Sequence, residues 1–224
     1  MNPYFETALG KLYHGDCLEI MPQLEPVDLV LTDPPYGVEK AEWDNVFPVF
    51  WIKPAWQLAS RMLVATGNTA LIYAATQIGN YRDLIILHSK NGMTRSKISF
   101  GNFIPVLACG NWSWVARPNY IGFSVRLNEK IQHPSPKPIE ALLSLCNHYV
   151  DEKWTVLDPF LGSGTTAVAC ERLNRRWIGI EIEEKYCEIA AKRIELEVKR
   201  IKRGFMSGEN RKETVKRIKL KGFF

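Results

Sequence analysis

The chain has 224 residues, of which 46% are apolar and 11% aromatic, and a formal net charge of +5. That balance suits one α/β domain with a buried core and excludes wholesale disorder, collagen-like and coiled-coil architectures. No apolar run is long enough to span a bilayer, and the first eleven residues lack a basic-then-apolar leader, so a cytoplasmic protein without membrane association is expected. The five cysteines, Cys17, Cys109, Cys146, Cys170 and Cys187, are odd in number and contain no C-x-x-C pair, which favours reduced thiols over a zinc site or a disulfide framework. Charge is uneven: residues 192–224 hold 12 Lys and Arg against 4 Glu, whereas residues 1–191 hold 17 against 20 acids. The reading is one domain over 1–203 followed by a basic tail over 204–224. Such a tail either lies along a polyanion, adding affinity without sequence information, or is a solvated, frayed end.

In chain order, residues 27–32 form a short aliphatic run that reads as a buried strand. Trp51, Ala55, Leu58, Ala59 and Met62 are spaced for a helix over 47–63, with Pro54 marking a kink or a later start. Residues 69–73 read as another strand. From about 90 to 135 the rhythm breaks. Gly92, Gly101, Gly110 and Gly122, with Trp112, Trp114, Tyr120 and Phe123, suggest an irregular or hairpin-rich insertion. Pro138 opens a helix carrying Ile139, Leu142, Leu143, Cys146 and Tyr149 on one face. A strand over 154–157, a helix over 165–173 and a strand over 177–180 follow. Tyr186, Ile189, Ala190, Ile194, Val198 and Ile201 mark a long helix that frays near Gly204, with Glu188–Lys192 and Glu195–Lys199 pairs on its exposed side. The alternation predicts a doubly wound, mostly parallel sheet with helices on both faces.

Two segments carry chemistry. Asp158-Pro159-Phe160-Leu161-Gly162-Ser163-Gly164-Thr165-Thr166 follows one strand and opens a helix, and Glu181 ends the next strand 19 residues beyond Gly162. The glycines allow a tight turn and close approach of a ligand, and an acid at that offset is placed to accept from ribose hydroxyls. Asp158 beside the loop disfavours a diphosphate and suits a ligand with a positive end. S-adenosylmethionine, which carries an ammonium and a sulfonium, fits, with Phe160 facing the sulfonium. The alternative is a structural turn with a capping Ser or Thr. The second segment, Asp33-Pro34-Pro35-Tyr36, follows the strand 27–32. Its prolines fix the backbone and lack N–H groups, leaving a rigid array of acceptors. Asp33 and the Pro34 carbonyl would take the two hydrogens of a ring-bound amino group, and Tyr36 would stack on the ring. Alone, the tetrapeptide would read as a rigid turn. Trp43 and Asp44, just beyond it, are expected to line the substrate pocket or a lid.

Together these segments resemble the amino-group DNA methyltransferases, and their order, tetrapeptide before cofactor loop, resembles the permuted arrangement of the β group. His14-Gly15-Asp16-Cys17-Leu18-Glu19 resembles the family's segment upstream of the tetrapeptide, whose Asp lies near the cofactor's adenine. His133-Pro134-Ser135-Pro136-Lys137-Pro138 resembles its segment before the cofactor loop. The resemblance covers residues 14–181. It implies the S-adenosylmethionine-dependent methyltransferase fold, with catalysis by Asp33, Pro34, Pro35 and Tyr36. It implies a cofactor set of Asp16, Cys17, Asp33, Lys137, Asp158, Phe160, Gly162, Ser163, Gly164, Thr165, Glu181 and Ile182. It places Tyr36 and Trp43 against the substrate, double-stranded DNA. S-adenosylhomocysteine is the implied product, no metal is required, and the source is bacterial, archaeal or phage.

Asp as the first residue of the tetrapeptide favours N6 of adenine after base flipping, whereas Ser is more usual in N4-cytosine enzymes. The stretch 90–132 is short for a target-recognition region, so a short site, a partner subunit or the basic tail would complete recognition. The β group is often dimeric, which carries a homodimer as a family expectation. The alternatives are N4-cytosine methylation, methylation of RNA adenine or a protein amide, and a non-catalytic nucleic-acid-binding module. RNA and protein enzymes more often begin the tetrapeptide with Asn and place the cofactor loop first. A module without activity would be expected to have lost the acceptor array or Glu181. A nicotinamide dehydrogenase is disfavoured by Asp158 and the missing third glycine.

Overall fold

The computed structural model describes residues 1–35, 48–67, 70–90, 94–95, 100–101, 103–112, 117–124 and 137–206. Tyr36, Trp43, Asp44, His133, Pro134, Ser135, Pro136, part of the predicted insertion and the basic tail beyond 206 lie outside the described residues. In chain order the elements are β1 (Phe5–Glu6), β2 (Gly10–His14), α1 (Cys17–Ile20) with a following 3-10 turn (Met21–Gln23), β3 (Leu29–Thr32), α2 (Ile52–Leu58), β4 (Arg61–Ala65), α3 (Leu71–Ile78) and β5 (Tyr81–Ser89). Then come β6 (Thr94–Arg95), β7 (Phe100–Gly101), β8 (Phe103–Gly110), β9 (Tyr120–Phe123), α4 (Ile139–Tyr149), β10 (Thr155–Asp158), α5 (Thr165–Leu173), β11 (Arg176–Glu181) and α6 (Glu184–Met206).

Among the described residues, one sheet has the strand order β1-β2-β11-β10-β3-β4-β8-β5-β9, and β6 pairs with β7 separately. The run β2, β11, β10, β3, β4 is parallel throughout. β8 inserts antiparallel between β4 and β5, and β9 returns parallel to β5. Side chains alternate across the sheet as a period of two requires. Leu29 and Leu31 of β3 enter one core cluster with α4, α5 and α6, while Val30 enters the other with α1, α2 and α3. Val156 and Leu157 of β10 divide in the same way. Helices therefore cover both faces.

The topology places a site before any side chain is considered. From the adjacent pair β3 and β10, the unit β3-α2-β4 runs outward in one direction and β10-α5-β11 in the other. Their crossover helices pack on opposite faces. This is a topological switch point, where a crevice opens beyond the strands' carboxyl ends. Asp33 follows β3, and Asp158 closes β10.

Two sequence expectations are corrected. The helix predicted over 47–63 is shorter: α2 ends at Leu58, and Met62, Leu63 and Val64 form the interior of β4, all fully buried. Pro54 is accommodated as the third residue of α2, where its missing N–H has no intrahelical partner to lose. Of the strand predicted over 69–73, Thr69 lies outside the described residues, and Leu71 to Tyr73 are instead the start of α3. Its Ala74 and Ile78 face the core, Ile72 faces solvent, and Gly79 at φ +67° stops it. Within the stretch read as an insertion, β8 is an internal strand of the main sheet. Pro105 of that strand pairs with Ile86, and its carbonyl accepts from the Thr66 N–H, so the missing donor is tolerated just past the last β4 pairing. The predicted strands at 27–32, 154–157 and 177–180 and the helices from 138, 165 and 186 match β3, β10, β11, α4, α5 and α6.

Candidate functional site

A cavity of about 730 Å³ opens at the switch point. From the β3 side it is lined by Thr32, Asp33, Pro34 and Pro35. From the β10 side it is lined by Asp158, Phe160, Gly162, Ser163, Thr165 and Thr166. Asp16 and Cys17, from the turn after β2, and Glu181 and Ile182, from the end of β11, complete one end, and Lys137 enters just ahead of α4. Thus five separate sequence segments meet in one space. Gly164 is not among the lining residues. At φ +83° it turns the chain into α5, and a Cβ there would come within 2.9 Å of the Ala190 Cβ on α6.

The loop is held from within and from behind. Asp158 is 3% exposed; its Oδ1 accepts from the Thr32 hydroxyl at 2.8 Å and from the Phe160 N–H at 3.1 Å. Thr166 also donates to this carboxylate. Burial pushes the Asp158 carboxyl up to about 6, the hydrogen bonds opposing this and the charge of nearby Asp33 adding to it. Behind the loop, the Arg193 guanidinium of α6 donates to the Ser163 carbonyl, to the Ser163 hydroxyl at 3.1 Å and to the Thr165 hydroxyl at 3.2 Å. Phe160 meets buried Trp51 edge to face, with ring centroids 5.7 Å apart.

At the other end, Glu181 Oε2 accepts from the Gly162 N–H at 2.7 Å and Oε1 from the Glu183 N–H at 2.9 Å. Each carboxylate oxygen can accept a further donor. Burial raises this carboxyl above the ordinary glutamate range, against the backbone hydrogen bonds that lower it. Asp16 caps α1 by accepting from the Leu18 N–H at 2.8 Å. Cys17 is buried beneath it, its thiol pushed up to about 12 by burial first and by the Asp16 charge second. Lys137 Nζ pairs with Asp33 Oδ2 across 104 residues of sequence.

Five further residues belong here. Thr32 and Thr166 donate to Asp158, Arg193 backs the loop, and Phe50 and Tyr73 line the cavity. Thr166 stood inside the quoted loop, and Thr32 directly before Asp33. Arg193, Phe50 and Tyr73 gave no local signal. Among the described residues, no group of three or more His, Cys, Asp or Glu side chains could hold a metal ion, and no helix is long and apolar enough to cross a membrane.

A dinucleotide or methyl-donor class of fold has its ligand crevice in this position, and the comparisons with known proteins separate the two. Residues 112–192 match the model of a family described as DNA methylase. The chain is 28% identical to the type II methyltransferase M.BamHI of Bacillus amyloliquefaciens, over 87% of this chain and 59% of that one. It is 27% identical to the type II methyltransferase M2.DpnII of Streptococcus pneumoniae, over 88% and 93% of the two chains. A crystal structure of M1.HpyAVI in complex with SAM superposes with a TM-score of 0.69 at 26% identity, covering 83% of this chain and 99% of that one. The chain is thus similar to DNA methyltransferases over most of its length, and residues 112–192 match the DNA methylase model.

Proposed function

We propose that this chain transfers a methyl group from S-adenosylmethionine to the exocyclic N6 amino group of adenine in double-stranded DNA. The observation that carries the reading is the shared cavity: the Asp33-Pro34-Pro35 acceptors and the loop 158–166 line the same space. The residues present suit this cofactor. Glu181 retains acceptor capacity for ribose hydroxyls, Asp16 offers a carboxylate beside it, and buried Asp158 supplies a negative charge that a cationic group would stabilise. The complex of M1.HpyAVI supports the same choice, since that relative binds SAM.

When bound, S-adenosylmethionine supplies an already activated methyl group on sulfur, so the protein's task is alignment and charge stabilisation. Asp33 accepts one hydrogen of the amino group, and the Pro34 carbonyl the other. Two acceptors draw the nitrogen lone pair out of ring conjugation and make it nucleophilic. The Asp33 carboxylate then stabilises the positive charge that develops on nitrogen. Lys137, by donating to Asp33, holds that carboxylate at the cavity wall. The amino group of a paired base is buried in the duplex, so the base must be turned out of the stack at a cost of a few kcal/mol. Asp as the first residue of the tetrapeptide supports adenine over cytosine, as the family resemblance implies.

The test is incubation with tritiated S-adenosylmethionine and plasmid DNA, followed by digestion to nucleosides. Label in N6-methyldeoxyadenosine is the expected result. Label in N4-methyldeoxycytidine would overturn the choice of base, and label absent from DNA but present in a parallel RNA sample would overturn the choice of substrate.

A further inference from the structure

We propose that Phe50 is a stacking surface for the ring of the target base, in the cavity that the acceptor array also lines. The inference rests on the methyltransferase reading above and adds a binding residue to it. Phe50 exposes 53% of its surface, a cost in water for so large an apolar side chain. It lines the cavity beside Pro34, Pro35 and Val49. A second large aromatic, Tyr73 of α3, lines the same cavity and is 48% exposed.

The exposure is built in. The next residue, Trp51, is fully buried, and its indole N–H donates to the Pro48 carbonyl at 3.0 Å. The Ile52 N–H donates to the Val49 carbonyl at 3.2 Å, closing the turn. Trp51 also packs edge to face on Phe160 of the loop. The turn carrying Phe50 is thus fixed to the loop that supports the methyl donor, and Phe50 is directed into the mouth rather than the core. A flat heteroaromatic ring is the occupant that this surface suits. The Asp33-Pro34-Pro35 acceptors for an exocyclic amine line the same cavity, and stacking on an aromatic face is indifferent to the ring's edge pattern. Stacking here recovers part of the cost of unstacking the base from the duplex.

The experiment measures tritium transfer to plasmid DNA and, separately, S-adenosylhomocysteine affinity by calorimetry, for the wild type, Phe50→Ala and Phe50→Trp. Phe50→Ala is expected to lower kcat/KM for DNA by about 10- to 100-fold, the range of one base-stacking contact. S-adenosylhomocysteine affinity should stay within about twofold, and Phe50→Trp should restore most of the DNA term. Unchanged kcat/KM in Phe50→Ala overturns the proposal. So does a parallel loss of S-adenosylhomocysteine affinity, which would make Phe50 a support of the cofactor loop. Failure of the wild type itself to label DNA would instead remove the methyltransferase reading, and this proposal with it.

Discussion

Asp33→Ala is expected to abolish methyl transfer, by about a thousandfold or more, while S-adenosylhomocysteine binding remains measurable. The carboxylate stands at the end of β3, beside the strand β10 that carries the loop. Its proposed work is confined to the reacting nitrogen: it accepts an amino hydrogen and stabilises charge that is absent in the ground state. Removing one preorganised group of this kind costs about 10²–10³ in rate. Here the loss is larger, because the lone pair also stays conjugated with the ring. The substitution also leaves Lys137 without its partner at the cavity wall. Single-turnover transfer to DNA and calorimetric titration of S-adenosylhomocysteine separate the two effects. Near-normal turnover would refute the role of Asp33, whereas loss of both activities would make it a cofactor residue.

Asp158 is expected to govern both the loop's stability and the pH dependence of cofactor binding. Asp158→Ala leaves the Thr32 hydroxyl, the Phe160 N–H and the Thr166 hydroxyl without their shared acceptor. Each stranded donor in a buried site costs about 1–3 kcal/mol, so a clear fall in melting temperature follows. Asp158→Asn keeps an acceptor but loses the charge, and should fold while binding S-adenosylhomocysteine more weakly. In the wild type, burial holds the Asp158 carboxyl at about 6, so the proton returns as pH falls through that value. A ligand with a positive end binds the ionised form. Its affinity should therefore be full above pH 6 and fall by up to about tenfold per unit below it, with proton release on binding near pH 6. Calorimetry in buffers of different ionisation enthalpy detects that proton. In Asp158→Asn the decline below pH 6 should disappear; an identical decline in both proteins would assign it to another group.

The central strands were legible because they are short aliphatic runs closed by acids or prolines: Val30-Leu31-Thr32 before Asp33, and Val156-Leu157 before Asp158. The outer half of the sheet was not. Met62 continues the helical spacing of Trp51, Ala55 and Leu58, so nothing local marks the change of period at Ser60 that starts β4. Leu71-Ile72-Tyr73 is too short an apolar run to distinguish a strand from a helix, and the outcome rested on Ala74 and Ile78 burying beneath β8. Pro105 disguised β8, since a proline argues against an interior strand unless its missing N–H falls past the neighbour's last pairing.

The site divides along the same line. Asp33, Asp158 and Glu181 could be named because each follows a strand that the sequence marks, and a switch point gathers such positions. Partnerships over long range could not be named. Lys137 reaching Asp33, Thr32 reaching Asp158 and Arg193 reaching the loop depend on how β3, β10, α4 and α6 pack. Phe50 has no signal in the sequence, because its neighbour Trp51 carries the periodicity and takes the core position.

The central claim is that donor and acceptor share the crevice between the ends of β3 and β10. A crystal structure of the chain with S-adenosylhomocysteine tests it most directly. The account predicts ribose hydroxyls on Glu181, the amino-acid end beside Asp158, and the sulfur facing Asp33. A ligand bound elsewhere, or a sulfur turned away from Asp33, would contradict it.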